Sequence, residues 1–78
     1  MTLEILTPEK EIFKGDIKSV TLPGALGEFQ ILNQHAPIIS TLTNGSIIIV
    51  TEKNEKNIFD INGGVVEMIN NKIIVLAN

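Results

Sequence analysis

His35 is the only histidine of the 78-residue chain and the first candidate for acid–base or metal chemistry. A metal site would need further ligands around this single imidazole, but the chain has no cysteine and no second histidine. A hydrolytic triad would combine His35 with a serine and an aspartate, yet no nucleophile-elbow glycine pattern surrounds any of the serines. The available partners are Ser19, Ser40, Ser46, Asp16 and Asp60. The sequence therefore predicts no catalytic residue and no metal ligand.

Gly24 and Gly27 are the second candidate, because closely spaced glycines can cradle a phosphate. The Gly-Lys-Ser/Thr ending of a phosphate-binding loop is missing, and no helical pattern follows whose N-terminus could hold an anion. We expect both glycines to serve in turns, with no cofactor and no small-molecule substrate.

Lys53 lies in the polar segment 51–57, which is typical of a solvated hairpin tip. Lipoyl and biotinyl carrier domains, which are flattened β structures of similar length, also carry a modifiable lysine at a hairpin tip. The acidic or methionine neighbours usual for that lysine are missing around Lys53. A covalent carrier domain with Lys53 as its attachment point is the alternative function.

The composition excludes several classes of partner. The net charge is -3 and the chain has no arginine, whereas nucleic-acid binding needs clustered basic residues. No apolar segment approaches the ~18 residues of a membrane-spanning helix. We expect no nucleic-acid partner and no direct membrane insertion.

Turn residues recur roughly every eight to twelve positions along the chain and separate short runs rich in isoleucine and valine. This rhythm predicts an all-β antiparallel sandwich or barrel formed by one domain, residues 1–78. The predicted strands are Leu3–Thr7, Glu11–Phe13, Asp16–Leu22, Gly27–Leu32, Ile38–Leu42, Ser46–Thr51, Asn57–Ile61, Val65–Ile69 and Lys72–Ala77.

Local patterns predict three irregular backbone positions. The inward parity changes between Ile17 and Val20, which indicates a bulge or twist. Asn44-Gly45 suits a turn with positive φ, and Gly63-Gly64 can take conformations closed to side chains.

Two strands are apolar without a break, at residues 47–50 and 73–76. Successive side chains of a strand point to opposite faces, so some of these must point outward. Either loops or barrel closure cover them, or another subunit covers an outer face.

Five short motifs, in order, carry a resemblance to a known family. Gly24-x-x-Gly27-Glu28 precedes His35-Ala36-Pro37; Gly45 then opens an isoleucine-rich strand, and Gly63-Gly64-Val65-Val66-Glu67 precedes the closing Val75-Leu76-Ala77. The opening Leu3–Glu9 and Ile12-Phe13-x-Gly15 fit as well. Over essentially its whole length the chain resembles the N-terminal β-sandwich domain of the F-type ATP synthase epsilon subunit.

The resemblance implies a flattened antiparallel sandwich of about ten short strands in two sheets. It implies a non-catalytic subunit of the rotary central stalk, peripheral to the cytoplasmic face of a bacterial cell membrane. Such a subunit binds the gamma subunit and the membrane ring of proteolipid subunits, so that proton-driven rotation is coupled to ATP synthesis.

The resemblance also assigns contact residues. The positions that match the ring-facing loop are Gly27, Glu28 and Phe29, with His35 nearby. A gamma-facing surface toward the other edge of the same side would include Thr7, Ser40 and outward apolar residues such as Ile38 or Ile39. Many family members continue into a two-helix C-terminal domain; residues 1–78 contain no such domain, so neither inhibition of hydrolysis nor nucleotide binding is expected of them.

Overall fold

The computed structural model describes residues 1–78 and contains eight β-strands and no α-helix, which confirms the all-β class. Accordingly, no helix is present that is long and apolar enough to cross a membrane. In chain order the strands are β1 Thr2–Leu6, β2 Glu11–Gly24, β3 Gly27–Leu32, β4 Ile38–Leu42, β5 Gly45–Thr51, β6 Lys56–Ile61, β7 Gly64–Ile69 and β8 Lys72–Ala77.

The strands form two packed layers that share β2. The first half of β2, residues 11–16, pairs with β1, and that layer continues through β8 and β7 to β4. The second half, residues 17–24, pairs with β5 on one side and β3 on the other, and β6 extends that layer beyond β5. All pairings are antiparallel except β1 with β8. β4 also pairs with the end of β2, where Gly24 lies opposite Leu42, so β3 and β6 are the two strands that pair with a single neighbour.

The strand number is eight rather than about ten, mainly because β2 is continuous. The predicted strands Glu11–Phe13 and Asp16–Leu22 are one strand, since Gly15 pairs with Leu3 and Asp16 pairs with Thr2 inside the ladder. A strand of 14 residues would span roughly 46 Å if straight, whereas the longest dimension of the molecule is 27 Å. β2 must therefore bend from one layer into the other.

The bend coincides with the predicted bulge. Ile17 pairs with Thr51 while Ser19 pairs with Val50, so Lys18 is an extra residue on the β2 side. Ile17 and Val20 are both fully buried although their parity differs. The predicted irregularity after Ile17 is confirmed, and it keeps both halves of β2 facing one core.

Every strand contributes to a single core of 15 buried apolar side chains. These are Leu3, Ile5, Ile17, Val20, Leu22, Ile31, Leu42, Ile47, Ile49, Ile61, Val66, Met68, Ile73, Val75 and Ala77. No polar or charged side chain is buried with them. The core is a continuous apolar layer between the two sheets, and all polar and charged side chains that could contact a partner lie outside it.

The residue types at the turns predict their backbone φ angles, with one exception. Asn70 and Asn71 join β7 to β8 with φ of 51° and 62°, the double positive φ of a type I′ hairpin turn. Gly64, at φ 154°, cannot carry a side chain because an added Cβ would collide with the Leu76 carbonyl oxygen. The expectation of positive φ at Asn44-Gly45 is wrong: Gly45 is needed because a Cβ there would lie 2.7 Å from the Pro23 Cβ.

Candidate interaction surfaces

The β2–β3 hairpin ends in a two-residue tip, Ala25 and Leu26, between the paired Gly24 and Gly27. Leu26 is fully exposed, with a relative accessibility of 106%. The Ala25 N–H donates to the Thr41 carbonyl oxygen at 3.0 Å, which ties the tip to the end of β4. The tip is therefore an apolar projection held in a fixed position.

Glu28 and Phe29 follow the tip and point to opposite sides of β3. Phe29 is half-buried against the core, and its ring lies over Gly24, where an added Cβ would be 2.7 Å from a ring carbon. Glu28 is exposed opposite Pro23. This alternation leaves the Glu28 carboxylate free for a contact outside the chain.

A groove of about 300 Å³ separates the hairpin from β4. It brings together residues from both sequence-predicted contact sets, since its lining includes Gly27 and Phe29 together with Ile39 and Ser40. Leu26 lines the same groove. The two predicted sets therefore adjoin one another instead of occupying separate edges.

The outer surface of the β4-β7-β8-β1 layer carries the largest group of exposed apolar side chains. We call the exposed Ile39, Val65, Ile69 and Leu76, together with the half-buried Leu6 and Ile74, the outer apolar face. The strand register places Leu6, Leu76 and Val65 side by side on three successive strands. Ile39, Leu76 and Val65 are 74%, 55% and 43% exposed. The exposed Glu67 lies between Ile39 and Ile74 in the strand register, so the contiguous apolar part of this face is the row Leu6, Leu76 and Val65. An exposed apolar row of this kind is typical of a protein interface.

The sequence left open whether the chain itself or another subunit covers the outward side chains of the apolar runs 47–50 and 73–76. Ile73 and Val75 are fully buried, whereas Leu76, in the same run, is more than half exposed. Ile47 and Ile49 are likewise buried, and Ile48 and Val50 between and beside them are half-buried. No loop covers Leu76, so part of the outward apolar surface remains available to a partner.

Thr7 and Ile38 border this face in different ways. Thr7 lines a groove of about 570 Å³ at the end of β1, together with Leu6, Val65 and Leu76. Ile38 pairs with the buried Met68 and packs against the core, so the expectation that it points outward is wrong. Only Ile39, one residue further, projects from β4 as expected.

His35 lies away from the hairpin tip. The backbone N–H of His35 donates to the Leu32 carbonyl oxygen at 3.2 Å. Glu28 is near the opposite end of β3, four residues before Leu32 and roughly 13 Å from it along the strand. The expectation that His35 lies near Glu28 is not met, because β3 runs between the two residues, as the predicted strand Gly27–Leu32 already implied. His35 therefore lies beyond the other end of β3, in the loop that contacts the β7–β8 turn.

Asparagine side chains hold the His35 loop. The Asn71 Oδ1 accepts from the Gln34 N–H at 2.9 Å, and the Asn71 Nδ2 donates to the Asn33 Oδ1 at 2.8 Å. The His35 Nδ1 lies 2.7 Å from the Ala36 carbonyl oxygen. This loop is fixed to the β7–β8 turn by hydrogen bonds within the chain.

Geometry gives no support to a hydrolytic site. His35 is exposed and lines none of the four grooves on the molecule. A general base needs a bound substrate within hydrogen-bond reach, which an exposed loop outside any groove does not provide. No group of three His, Cys, Asp or Glu side chains is placed to hold a metal ion.

Sequence reasoning missed Leu26 and Val65 as surface residues of interest. Leu26 carried a usable signal, because an apolar residue at the centre of a Gly-flanked turn is unusual where polar residues dominate. Val65 carried no such signal, because the sequence Val65-Val66 does not indicate which of the two side chains points inward. The register resolves it, since Val66 is buried and Val65 is exposed.

The comparisons with known proteins agree with this architecture. Residues 1–78 match the family described as the ATP synthase delta/epsilon chain β-sandwich domain. The chain is 44% identical over 77 residues to the ATP synthase epsilon chain of Campylobacter hominis, covering 97% of this chain and 59% of that protein. It is 41% identical to the epsilon chain of Chlorobaculum tepidum, covering 97% of this chain and 86% of that one. It thus spans a little over half of the first relative's length and most of the second's.

Solved structures show the same fold at lower sequence identity. A chain in the cryo-EM structure of the Euglena gracilis mitochondrial ATP synthase with OSCP, F1 and c-ring superposes with a TM-score of 0.89 at 19% identity, over 96% of this chain and 48% of that one. A chain in the central stalk and c-ring structure of the Tetrahymena thermophila mitochondrial ATP synthase gives 0.81 at 21% identity, over 97% and 61%. At these identities the likeness establishes the fold.

Proposed function

The chain belongs to the ATP synthase delta/epsilon chain β-sandwich family, and we propose that it is a non-catalytic subunit of the central stalk. In this role it joins the gamma subunit to the proteolipid ring, so that rotation of the ring is coupled to ATP synthesis. The subunit is peripheral, on the cytoplasmic face of the membrane that holds the ring. The observation that carries the proposal is the outer apolar face, which the fold leaves uncovered.

The gamma subunit is the proposed partner of the outer apolar face and its β4 margin. Ile39, Val65 and Leu76 supply apolar area, and Thr7 and Ser40 supply hydroxyl groups in the two adjoining grooves. A permanent interface resembles a domain core cut in half, so the apolar row Leu6, Leu76 and Val65 suits a partner that stays bound throughout rotation. The exposed Glu67 beside this row would need a polar or cationic group on that partner. Ile38 supports this surface from within because it packs against the core.

The proteolipid ring is the proposed partner of the hairpin tip. Residues 25–28 project from the sandwich, and the Ala25–Thr41 hydrogen bond holds them in place. Glu28 offers a carboxylate to polar loops of the ring, Leu26 offers an apolar contact, and Gly27 with Phe29 shapes the hairpin. A preorganised contact loses little conformational entropy on binding, which favours a tight mechanical link.

His35 takes a separate place in this proposal. It lies at the other end of β3 from Glu28, so one flat ring surface would not reach both side chains without also covering the length of β3. A role for His35 at the ring therefore depends on a contact distinct from that of the hairpin tip.

A tagged copy of the chain purified from the membranes of its own cells tests the proposal. We expect the gamma subunit and the proteolipid subunits to co-purify with it in constant proportion, as identified by mass spectrometry. Recovery of a dehydrogenase or carboxylase complex, together with a mass increase at Lys53, would instead support the carrier-domain alternative. The family match favours the stalk subunit over that alternative.

A further inference from the structure

The free edge of β6 is an unpaired sheet margin, at the opposite end of its layer from β3. β6 pairs with β5 and with no other strand, so the backbone N–H and C=O groups along its other side have no partner strand. An edge of this kind is a template for pairing with another strand. Whether it pairs depends on the side chains that a second strand would meet.

The outward side chains of β6 are self-complementary. Lys56, Ile58 and Asp60 share one face and are exposed, and Ile58 is 57% exposed. If a second copy of β6 pairs antiparallel about Ile58, each Lys56 lies opposite an Asp60 and the two Ile58 side chains face each other. Directly opposed charges and directly opposed β-branched residues both stabilise an antiparallel pair.

The apolar contact would extend beyond the edge strands. Ile58 pairs with the half-buried Ile48 of β5. In this row of the outer surface, an isoleucine of β5 and an isoleucine of β6 therefore lie side by side up to the free edge. Pairing two copies through β6 would place four isoleucines side by side across the joint. The Asp60 carboxylate already accepts the Ser46 hydroxyl at 2.7 Å through one oxygen, which leaves the other oxygen for a lysine.

We propose that two copies of this chain associate through antiparallel β6–β6 pairing about Ile58, with two reciprocal Lys56–Asp60 contacts. A twofold axis through the strand pair makes each contact occur twice, as in any isologous interface. The joint is small and partly polar, so the association is weak and concentration-dependent. This inference goes beyond the proposed stalk function and does not depend on it.

Charge reversal at the edge provides a sharp test. Sedimentation velocity on the purified chain over a concentration series is expected to show a dimer whose fraction rises with concentration. Lys56→Asp sets Asp opposite Asp at two places, and Asp60→Lys sets Lys opposite Lys; each is expected to weaken dimerisation by roughly tenfold or more. Because both side chains are exposed, the fold should be retained, which circular dichroism checks.

The double variant, Lys56→Asp with Asp60→Lys, restores opposite charges across the strand pair and is expected to restore the dimer. Glu52→Lys and Lys53→Asp change charge at the hairpin tip, off the edge, and serve as matched controls that leave dimerisation unchanged. A chain that stays monomeric throughout the series would overturn the proposal. So would a dimer that either single reversal leaves intact, or one that the double exchange fails to restore.

Discussion

At the scale of single residues, the molecule separates fold-forming groups from contact-forming groups. Gly64, Gly45 and Gly24 are required where backbone or a ring passes too close for a Cβ. Glu28 and Leu26 make no such contribution, since both side chains project into solvent. Substitution at the first group should therefore change stability, and substitution at the second should change binding.

Glu28→Lys is expected to weaken coupling between proton flow and ATP synthesis without changing the melting temperature. An exposed carboxylate contributes little to folding, whereas reversing its charge at the proposed ring contact introduces repulsion or removes a hydrogen bond. ATP synthesis and proton pumping by membranes that carry the variant measure the effect. Glu52→Lys, the same change at an exposed tip elsewhere, should leave coupling intact; equal behaviour of the two variants would count against the ring contact.

Gly64→Ala is expected to destabilise the fold by more than about 3 kcal/mol, because the new Cβ collides with the Leu76 carbonyl in addition to straining φ. Gly27→Ala is the matched control: its φ of 131° is also strained, but an added Cβ meets nothing within 4 Å. Thermal unfolding of both variants separates collision from strain. Equal losses at the two positions would show that the β7–β8 contact is not tight.

At the scale of the strands, β2 determines the architecture, and β4, β7 and β8 carry most of the outer apolar face. The bulge after Ile17 turns β2 from one layer into the other, which sets the five-strand layer above the four-strand layer. The strand register then lines up the exposed side chains of Val65 and Leu76. The outer apolar face is thus a consequence of register as much as of composition.

Leu76→Lys is expected to abolish or strongly weaken binding to the gamma subunit while the domain stays folded. The charge would be buried without a partner in the proposed interface, but it remains in water in the free protein. Co-purification of gamma with the variant measures the loss. Leu32→Lys, at a side chain 53% exposed on the other layer, is the control and should retain gamma; loss of gamma in both variants would contradict the assignment of the face.

The strands and their inward faces were largely predictable from the sequence, because alternation at Leu3 and Ile5 or the parity change after Ile17 records burial directly. The continuity of β2 was not, since Gly15-Asp16 has turn composition although both residues sit in the β1–β2 ladder. The separation of His35 from Glu28 follows from the predicted strand Gly27–Leu32, whereas the groove that Phe29 shares with Ile39 depends on how the strands pair. The local pattern of apolar and polar residues predicts the strands. Which surface residues lie close together depends on how those strands pair.

At the scale of the whole molecule, a single core must stabilise a small domain. A chain of this length is expected to have a free energy of unfolding of about 4–12 kcal/mol. All 15 buried apolar residues belong to one cluster, so a defect at any strand acts on the same core. A domain of this kind has little stability to spare for changes in its interior.

Ile49→Ala is expected to lower the free energy of unfolding by about 2–5 kcal/mol, since it opens a cavity at a fully buried site. Ile69→Ala removes the same atoms from a side chain that is 53% exposed, and its loss should stay below about 1 kcal/mol. Urea unfolding of both variants measures the difference. A comparable loss at Ile69 would mean that the outer face also takes part in folding.

In the proposed function, this chain links the gamma subunit to the proteolipid ring. Because the chain has no cysteine, Leu26→Cys and Leu76→Cys place single reactive thiols on the hairpin tip and on the outer apolar face. The most direct measurement is a bifunctional cross-link from each thiol in native membranes, with the captured partners identified by mass spectrometry. We expect a proteolipid subunit to be captured from position 26 and the gamma subunit from position 76. Capture of neither partner, or of stationary subunits at both positions, would contradict the proposed function.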